Sequence, residues 1–251
     1  MRNFIADYVP LTITMKEAFT IYAPVYNEID GLPKLEKSLY DYVKSIENER
    51  DVYVLFVNDG STDGSEEALN EMCARHTGWT VLHFDRNYGN SSAFKAAIDY
   101  CKTPLLGHID ADLQTNPEDF NLMLPHMDEF DLVCGDRVKR NDNWIRKTST
   151  FIANKWRHLF TGDNFHDVTS PLKIMRTEVA RKMPFFNGSH RFIPVAFQMM
   201  GAPVKVIPVR HYPRVDGEAK YGFFNRMRSG VAADCRAYGW MIRRYLKYRF
   251  K

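Results

Sequence analysis

Residues 105–114 read Leu-Leu-Gly-His-Ile-Asp-Ala-Asp-Leu-Gln, an apolar run of strand character. It ends in two carboxylates one residue apart, Asp110 and Asp112, followed by Gln114. In an extended segment, side chains at i, i+2 and i+4 share a face, so the three oxygen-bearing groups are expected to converge where the strand ends. Hard divalent cations such as Mg²⁺ take all-oxygen ligands and usually bridge to phosphates. The stretch points to an enzyme handling a metal-bound nucleotide or pyrophosphate. The alternative, still open on these residues alone, is a solvated acidic turn capping a helix at Asn116-Pro117-Glu118-Asp119.

Working outward, the chain before Asp110 alternates two patterns. Phe19–Pro24, Val52–Asn58, Thr80–Phe84 and Leu105–Asp110 are short apolar runs rich in β-branched and aromatic residues. Between the first two, Leu32, Leu35, Leu39, Val43 and Ile46 fall at helical spacing over 32–46. Segments 64–75 and 90–101 also read as helices, the former preceded by the cap candidates Ser61, Thr62 and Asp63. Strand, helix, strand with short loops predicts an α/β fold, a mostly parallel sheet covered on both faces. Ligands in such sheets bind beyond the carboxyl ends of strands. Four polar clusters lie there: Asn27-Glu28, Asn58-Asp59-Gly60, Arg86-Asn87 and Asp110-Ala111-Asp112. Further on, Leu132–Asp136, Leu172–Met175 and 203–209 read as strands, and 144–160 and 190–200 as helices. The stretches 161–167 and Arg210–Tyr221 read as polar loops. With no linker or repeat, the organisation is one domain over 19–225, an extension at 1–18 and a basic, aromatic helical segment at 226–251.

The chain has 251 residues and a net charge of +3, which conceals a division. Residues 1–131 hold 10 Lys+Arg against 23 Asp+Glu, whereas residues 132–251 hold 24 against 8. An acidic half offering metal ligands and a basic half offering phosphate partners suit a metal-plus-phosphate enzyme; two solvated surfaces of opposite sign are the plainer reading. Nucleic acid is not an expected partner, because the acidic half would repel a polyanion and no nucleic-acid-binding signature is present. No apolar run approaches the roughly 18–20 residues of a spanning helix. The four scattered cysteines form no Cys-x-x-Cys pair and fit a reducing compartment, so cytoplasm is the expected location.

Pro24-Val25-Tyr26-Asn27-Glu28 closes the first strand and Val57-Asn58-Asp59-Gly60-Ser61-Thr62-Asp63 the second. A strand-end carboxylate can accept hydrogen bonds from a nucleobase, but Asn, Asp, Gly and Ser also dominate turns for backbone reasons. Taken together with Arg86-Asn87-Tyr88-Gly89 and Asp110-Ala111-Asp112-Leu113-Gln114, the clusters resemble the GT-A, family 2 glycosyltransferases. The Asp-Ala-Asp-Leu-Gln form, Gly135-Asp136-Arg137, His190-Arg191-Phe192 and Arg214-Val-Asp-Gly-Glu-Ala-Lys220-Tyr221 resemble the polyprenyl-phosphate branch typified by dolichol-phosphate mannosyltransferase. Ala219 departs from the serine usual there. That branch often carries transmembrane helices after the domain, and no apolar run of that length is found in these 251 residues.

The resemblance implies inverting transfer of a sugar from a nucleotide diphosphate sugar to a polyprenyl phosphate on the cytoplasmic membrane face. It implies Mg²⁺ or Mn²⁺ on Asp110, Asp112 and Gln114, and nucleotide-sugar contacts from Pro24, Tyr26, Glu28, Asp59, Asp110, Ala111 and Asp112. Asp110, Asp112 and Arg137 are the expected catalytic residues. Arg137, Arg146, Arg191, Arg214 and Lys220 are the expected phosphate-binding residues, arginine's planar fork suiting phosphate oxygens. His166-Asp167 is read as structural. A phosphate acceptor is already ionised and needs no protein base. A family 2 enzyme acting on a saccharide or protein hydroxyl is the alternative, and a catalytically silent sugar-nucleotide-binding subunit the second. Competing motifs fail: Gln114 stands where the phosphatase Asp-x-Asp-x-Thr needs Thr, and no phosphate-binding Gly-rich loop or Gln-x-x-Arg-Trp element occurs.

Arg236–Lys251 (RAYGWMIRRYLKYRFK) carries six basic residues and no acid, interleaved with Trp240, Met241, Ile242, Tyr245, Leu246, Tyr248 and Phe250. Basic residues with aromatic anchors suit an anionic membrane surface. A helix packed on the domain, or a contact for an oligomer or membrane partner, is the other reading, since the apolar residues form no single helical stripe.

Overall fold

The computed structural model describes residues 17–137, 165, 168–210 and 212. Its first half is β1 (Phe19–Val25), α1 (Leu32–Ile46), β2 (Val52–Asn58), α2 (Ser65–Arg75), β3 (Trp79–His83), α3 (Asn90–Tyr100) and β4 (Leu105–His108). The leucine spacing read in α1 is what buries it: Leu32, Leu35, Leu39, Tyr42 and Ile46 are its buried residues, and Pro33 sits in the first turn, where a missing N–H costs nothing.

Alternation along the strands sorts the core into two layers. Phe19, Ile21, Ala23, Val25, Val54, Phe56 and Leu105 face the helices α1 and α2 on one side. Tyr22, Leu55, Val57 and Leu106 face α3 on the other, against Ala93, Phe94, Ala97 and Ile98. Gly107 is required by packing: a Cβ there would lie 2.5 Å from the Phe19 ring, which meets Phe120 edge-on at 5.1 Å.

After β4 come a 3₁₀ turn at Pro117–Asp119, the single turn α4 (Phe120–Met123), a second 3₁₀ turn at Leu124–His126, and β5 (Leu132–Arg137). The Asn116 carboxamide accepts from the Glu118 N–H at 3.1 Å, capping the first of these turns. The remaining elements are β6 (Lys173–Arg176), α5 (Thr177–Arg181), α6 (Ile193–Met199) and β7 (Val204–Val209). The helix expected at 190–200 enters through a 3₁₀ turn at Ser189–Phe192, and α5 was not anticipated. The helix expected at 144–160 lies outside the described residues.

The sheet order is β3-β2-β1-β4-β6-β5-β7. All strands run parallel except β6, which is antiparallel to both β4 and β5. The mostly parallel α/β expectation therefore holds, with the reversed strand inserted off-centre. Chain order proceeds outward from β1 to β2 and β3, then jumps back across β1 to β4. That reversal opens a crevice at the carboxyl ends of β1 and β4. Register lines up Tyr22, His108 and Lys173 in one row across β1, β4 and β6.

Candidate active site

Two loops at the ends of β1 and β2 are tied by side chains whose types suit turns. Asn27, at φ 52°, accepts from the Thr62 N–H at 2.7 Å, and its own N–H donates to Ser61 Oγ at 2.9 Å. The Glu28 N–H donates to Ser65 Oγ and the Ile29 N–H to Asp63 Oδ2, both at 3.1 Å. Fully buried Asn58 accepts from the Ser61 N–H at 3.0 Å and donates to His83 Nδ1 at 3.1 Å. The motif thus builds a rigid rim from its own polar groups.

Asp59 extends the rim to the next loop. Its carboxylate accepts from the Tyr88 N–H at 2.7 Å and the Gly89 N–H at 2.9 Å. Burial raises its pKa, and these amides oppose the rise. Gly60, at φ +69°, leaves the space: a Cβ would stand 2.3 Å from the Arg86 carbonyl carbon. Loop 86–89 is therefore held against the end of β2 and delivers Asn90 to the crevice.

The third wall departs from the extended geometry expected of Leu105–Asp110. β4 ends at His108, and Leu113 takes φ 53°, so residues 110–114 form a turn and not a strand face. The Asp112 carboxylate accepts from the Gln114 N–H at 3.2 Å, an Asx-type turn that explains the early end. The Gln114 carbonyl accepts from the Tyr212 N–H at 2.9 Å, bringing the start of the predicted polar loop against this turn.

Beneath Asp110 lies a cavity of about 230 Å³ lined by Asn90, His108, Asp110, Thr169, Pro171, Lys173, His190 and Arg191. His108 Nε2 stands 3.5 Å from Asp110 Oδ1, beyond a good hydrogen bond. Burial pushes the His108 pKa down, against the pull of Asp110. For Asp110, burial acts upward but is outweighed by His108, Lys173 and Arg137, so the carboxyl is held below its usual range. His190 is pushed down to about 3, by burial first and then by Arg191. Its Nδ1 is 2.7 Å from Ser91 Oγ, which also accepts from the Gly188 N–H at 2.8 Å. This contact engages Nδ1 and fixes the ring, the direction of the bond following the His190 tautomer. A larger hollow of about 830 Å³, lined by Ile46, Arg50, Leu105 and Met127, lies at the amino end of β4, opposite the crevice.

The structure brings Asp110 and Arg191 to one cavity, with Arg137 beside it donating to Thr169 Oγ1 at 3.1 Å. Half-buried Pro24, Tyr26 and Glu28, buried Asp59 and Ala111, and half-buried Asp112 and Gln114 sit on the surrounding loops. Arg146, Arg214 and Lys220 lie outside the described residues, as does His166-Asp167. Sequence reasoning passed over Asn90, His108 and Lys173. A lysine inside an apolar strand run was the available signal: Lys173 is 1% exposed. No cluster of three or more His, Cys, Asp or Glu suited to a metal occurs among the described residues. Two carboxylates on a turn of oxygen donors nevertheless fit a hard cation that completes its shell with water and substrate phosphates.

The family model described as glycosyl transferase family 2 matches residues 20–183. Among solved structures, the mannosyltransferase PcManGT from Pyrobaculum calidifontis, in complex with GDP-Man and Mn²⁺, is similar at a TM-score of 0.64 and 18% identity. That match covers 90% of this chain and 65% of the other, so the chain spans less than two thirds of that relative. Glucosyl-3-phosphoglycerate synthase from Mycobacterium tuberculosis, in complex with Mn²⁺, UDP and glucosyl-3-phosphoglycerate, is similar at 0.63 and 14% identity, covering 80% of this chain and 73% of that one. S. aureus TarS 1-349 is similar at 0.54 and 18%, covering 76% and 58%. At these identities the solved structures establish the GT-A-like fold alone. The family model, which takes in β1 through α5 and the Asp110–Gln114 turn, establishes more: the chain belongs to glycosyl transferase family 2.

Proposed function

We propose that this glycosyltransferase moves a sugar from a nucleotide diphosphate sugar to a polyprenyl phosphate, with inversion. The observation that carries the acceptor class is the cavity's lack of an available base. Among the described residues, Asp110 is the one carboxylate lining it, and that group belongs to the turn expected to hold the metal. His190 has its Nδ1 engaged by Ser91, and burial disfavours protonating either His190 or His108. A hydroxyl acceptor needs a proton taken from it. A phosphate arrives ionised, and Lys173, Arg191 and Arg137 supply the positive charge that offsets its repulsion from the donor diphosphate.

In this reading Pro24, Tyr26, Glu28, Asp59 and Ala111 frame the nucleotide. Asp110, Asp112 and Gln114 would hold Mg²⁺ or Mn²⁺, which supplies charge neutralisation to the leaving diphosphate. Arg146, Arg214 and Lys220 are further phosphate ligands. The acceptor oxygen approaches the anomeric carbon opposite the leaving group, so a single displacement inverts the centre. A membrane-borne acceptor also gives the 236–251 segment a task, contact with the anionic lipid surface.

A second reading, transfer to a hydroxyl of a small anionic acceptor, draws on the M. tuberculosis synthase, solved with phosphoglyceric acid. Labelled UDP- and GDP-sugars offered to undecaprenyl phosphate, phosphoglyceric acid and a soluble oligosaccharide separate the two. Label is expected in the lipid phase; label confined to the water-soluble acceptors refutes the proposal.

A further inference from the structure

We propose that His108 is a specificity-determining residue that reads a hydroxyl of the transferred sugar from the floor of the cavity beneath Asp110. The inference rests on the donor being a nucleotide sugar. His108 is 4% exposed; its Nε2 faces Asp110 Oδ1 at 3.5 Å, and among the described residues neither ring nitrogen has a partner at good hydrogen-bond distance. An orphaned buried imidazole is costly unless a ligand or water completes it. The ring is fixed in place: it stacks on Tyr22 at 5.1 Å between centroids and meets Phe94 at 6.0 Å. Among the described residues, the Tyr22 hydroxyl in the same layer is likewise buried without a partner. His108 is also in register with Lys173 across the sheet, so the cavity floor is made by strands and not by a loop.

The chemistry of the orphaned ring selects the ligand class. With Nε2 facing Asp110, Nδ1 is the nitrogen left for a ligand. A sugar hydroxyl both donates and accepts, so it can pair with that nitrogen as lone pair or as N–H, whereas an ionised phosphate has only acceptors to offer. The cavity volume, about 230 Å³, and the Asp110 carboxylate at its mouth suit a single sugar unit attached to the donor diphosphate.

The test is calorimetric binding to the full chain in Mn²⁺, comparing UDP-glucose and GDP-mannose with free UDP and GDP. His108→Leu is expected to weaken whichever nucleotide sugar wild type prefers by tenfold or more, and the matching free diphosphate by less than threefold, since an unmade buried hydrogen bond is felt only by the sugar-bearing ligand. Equal loss for both ligands, or no loss, overturns the inference. Should His108→Leu not fold by circular dichroism, His108→Gln decides on the same comparison, with a threefold or greater loss confined to the nucleotide sugar expected and an equal response overturning it. Wild-type protein that binds neither class of ligand overturns the donor reading itself, and this inference with it.

Discussion

Replacing Asp59 by asparagine isolates the bond on which the crevice wall depends. The carboxylate reaches loop 86–89 through Oδ1, which accepts from Tyr88 N–H at 2.7 Å, and Oδ2, which accepts from Gly89 N–H at 2.9 Å. Asparagine keeps one acceptor and turns its NH₂ toward the other N–H, donor against donor. Losing a charge-assisted bond and opposing two donors costs about 1–3 kcal/mol. Burial works the other way, because it disfavours the charged carboxylate and spares the amide, which trims the net loss to about 1–2 kcal/mol. For a domain of this size, 1 kcal/mol lowers Tm by roughly 2–4 °C, so Asp59→Asn should melt about 2–8 °C below wild type. Hydrogen exchange adds the local readout: the Tyr88 and Gly89 amides should lose protection while those of β1 keep theirs. Because the same loop delivers Asn90 to the cavity, KM for the donor should rise as well. An unchanged Tm with both amides still protected would refute the reasoning.

Asp112→Ala should abolish transfer while lowering Tm by only about 2–4 °C, the cost of one turn hydrogen bond of about 1 kcal/mol, since the half-exposed carboxylate serves a turn and a cation, not the core; substantial activity in this variant, or full activity in chelator, removes the metal from the account. His190, at about 3 in the native state against about 6.5 when unfolded, takes up a proton on unfolding between those values. Its contribution is intact near pH 7 and is lost as pH falls, at about 1.4 kcal/mol per pH unit. Urea titrations of His190→Gln at pH 7, 6 and 5 should show a shallower acid decline than wild type; parallel curves contradict this. Removing residues 236–251 should weaken salt-sensitive binding to anionic liposomes, and equal binding by both folded proteins would rule that segment out as the anchor.

The two periodicities of the sequence made much of this architecture readable. The leucines of 32–46 fix α1 because burial of one stripe is a local property, and the β-branched runs locate all seven strands to within a residue or two. The reversed direction of β6 was not readable, because pairing with β4 and β5 depends on partners far along the chain. The end of β4 was misplaced for a local reason: Leu113 adopts a positive φ that its side chain does not announce. At the site, Asn58, Ser61 and Asp63 could serve turn or ligand from sequence alone, and their bonds to neighbouring backbone show the turn role directly. His108 and Lys173 escaped notice because a polar residue in an apolar strand acquires meaning only from what faces it.

The acceptor claim is tested most directly by the linkage in the product. With a nucleotide sugar, Mn²⁺, undecaprenyl phosphate and an oligosaccharide together, phosphorus NMR of the lipid fraction should show the phosphomonoester signal replaced by a phosphodiester. A lipid monoester that stays intact while the sugar appears on a hydroxyl would contradict the account.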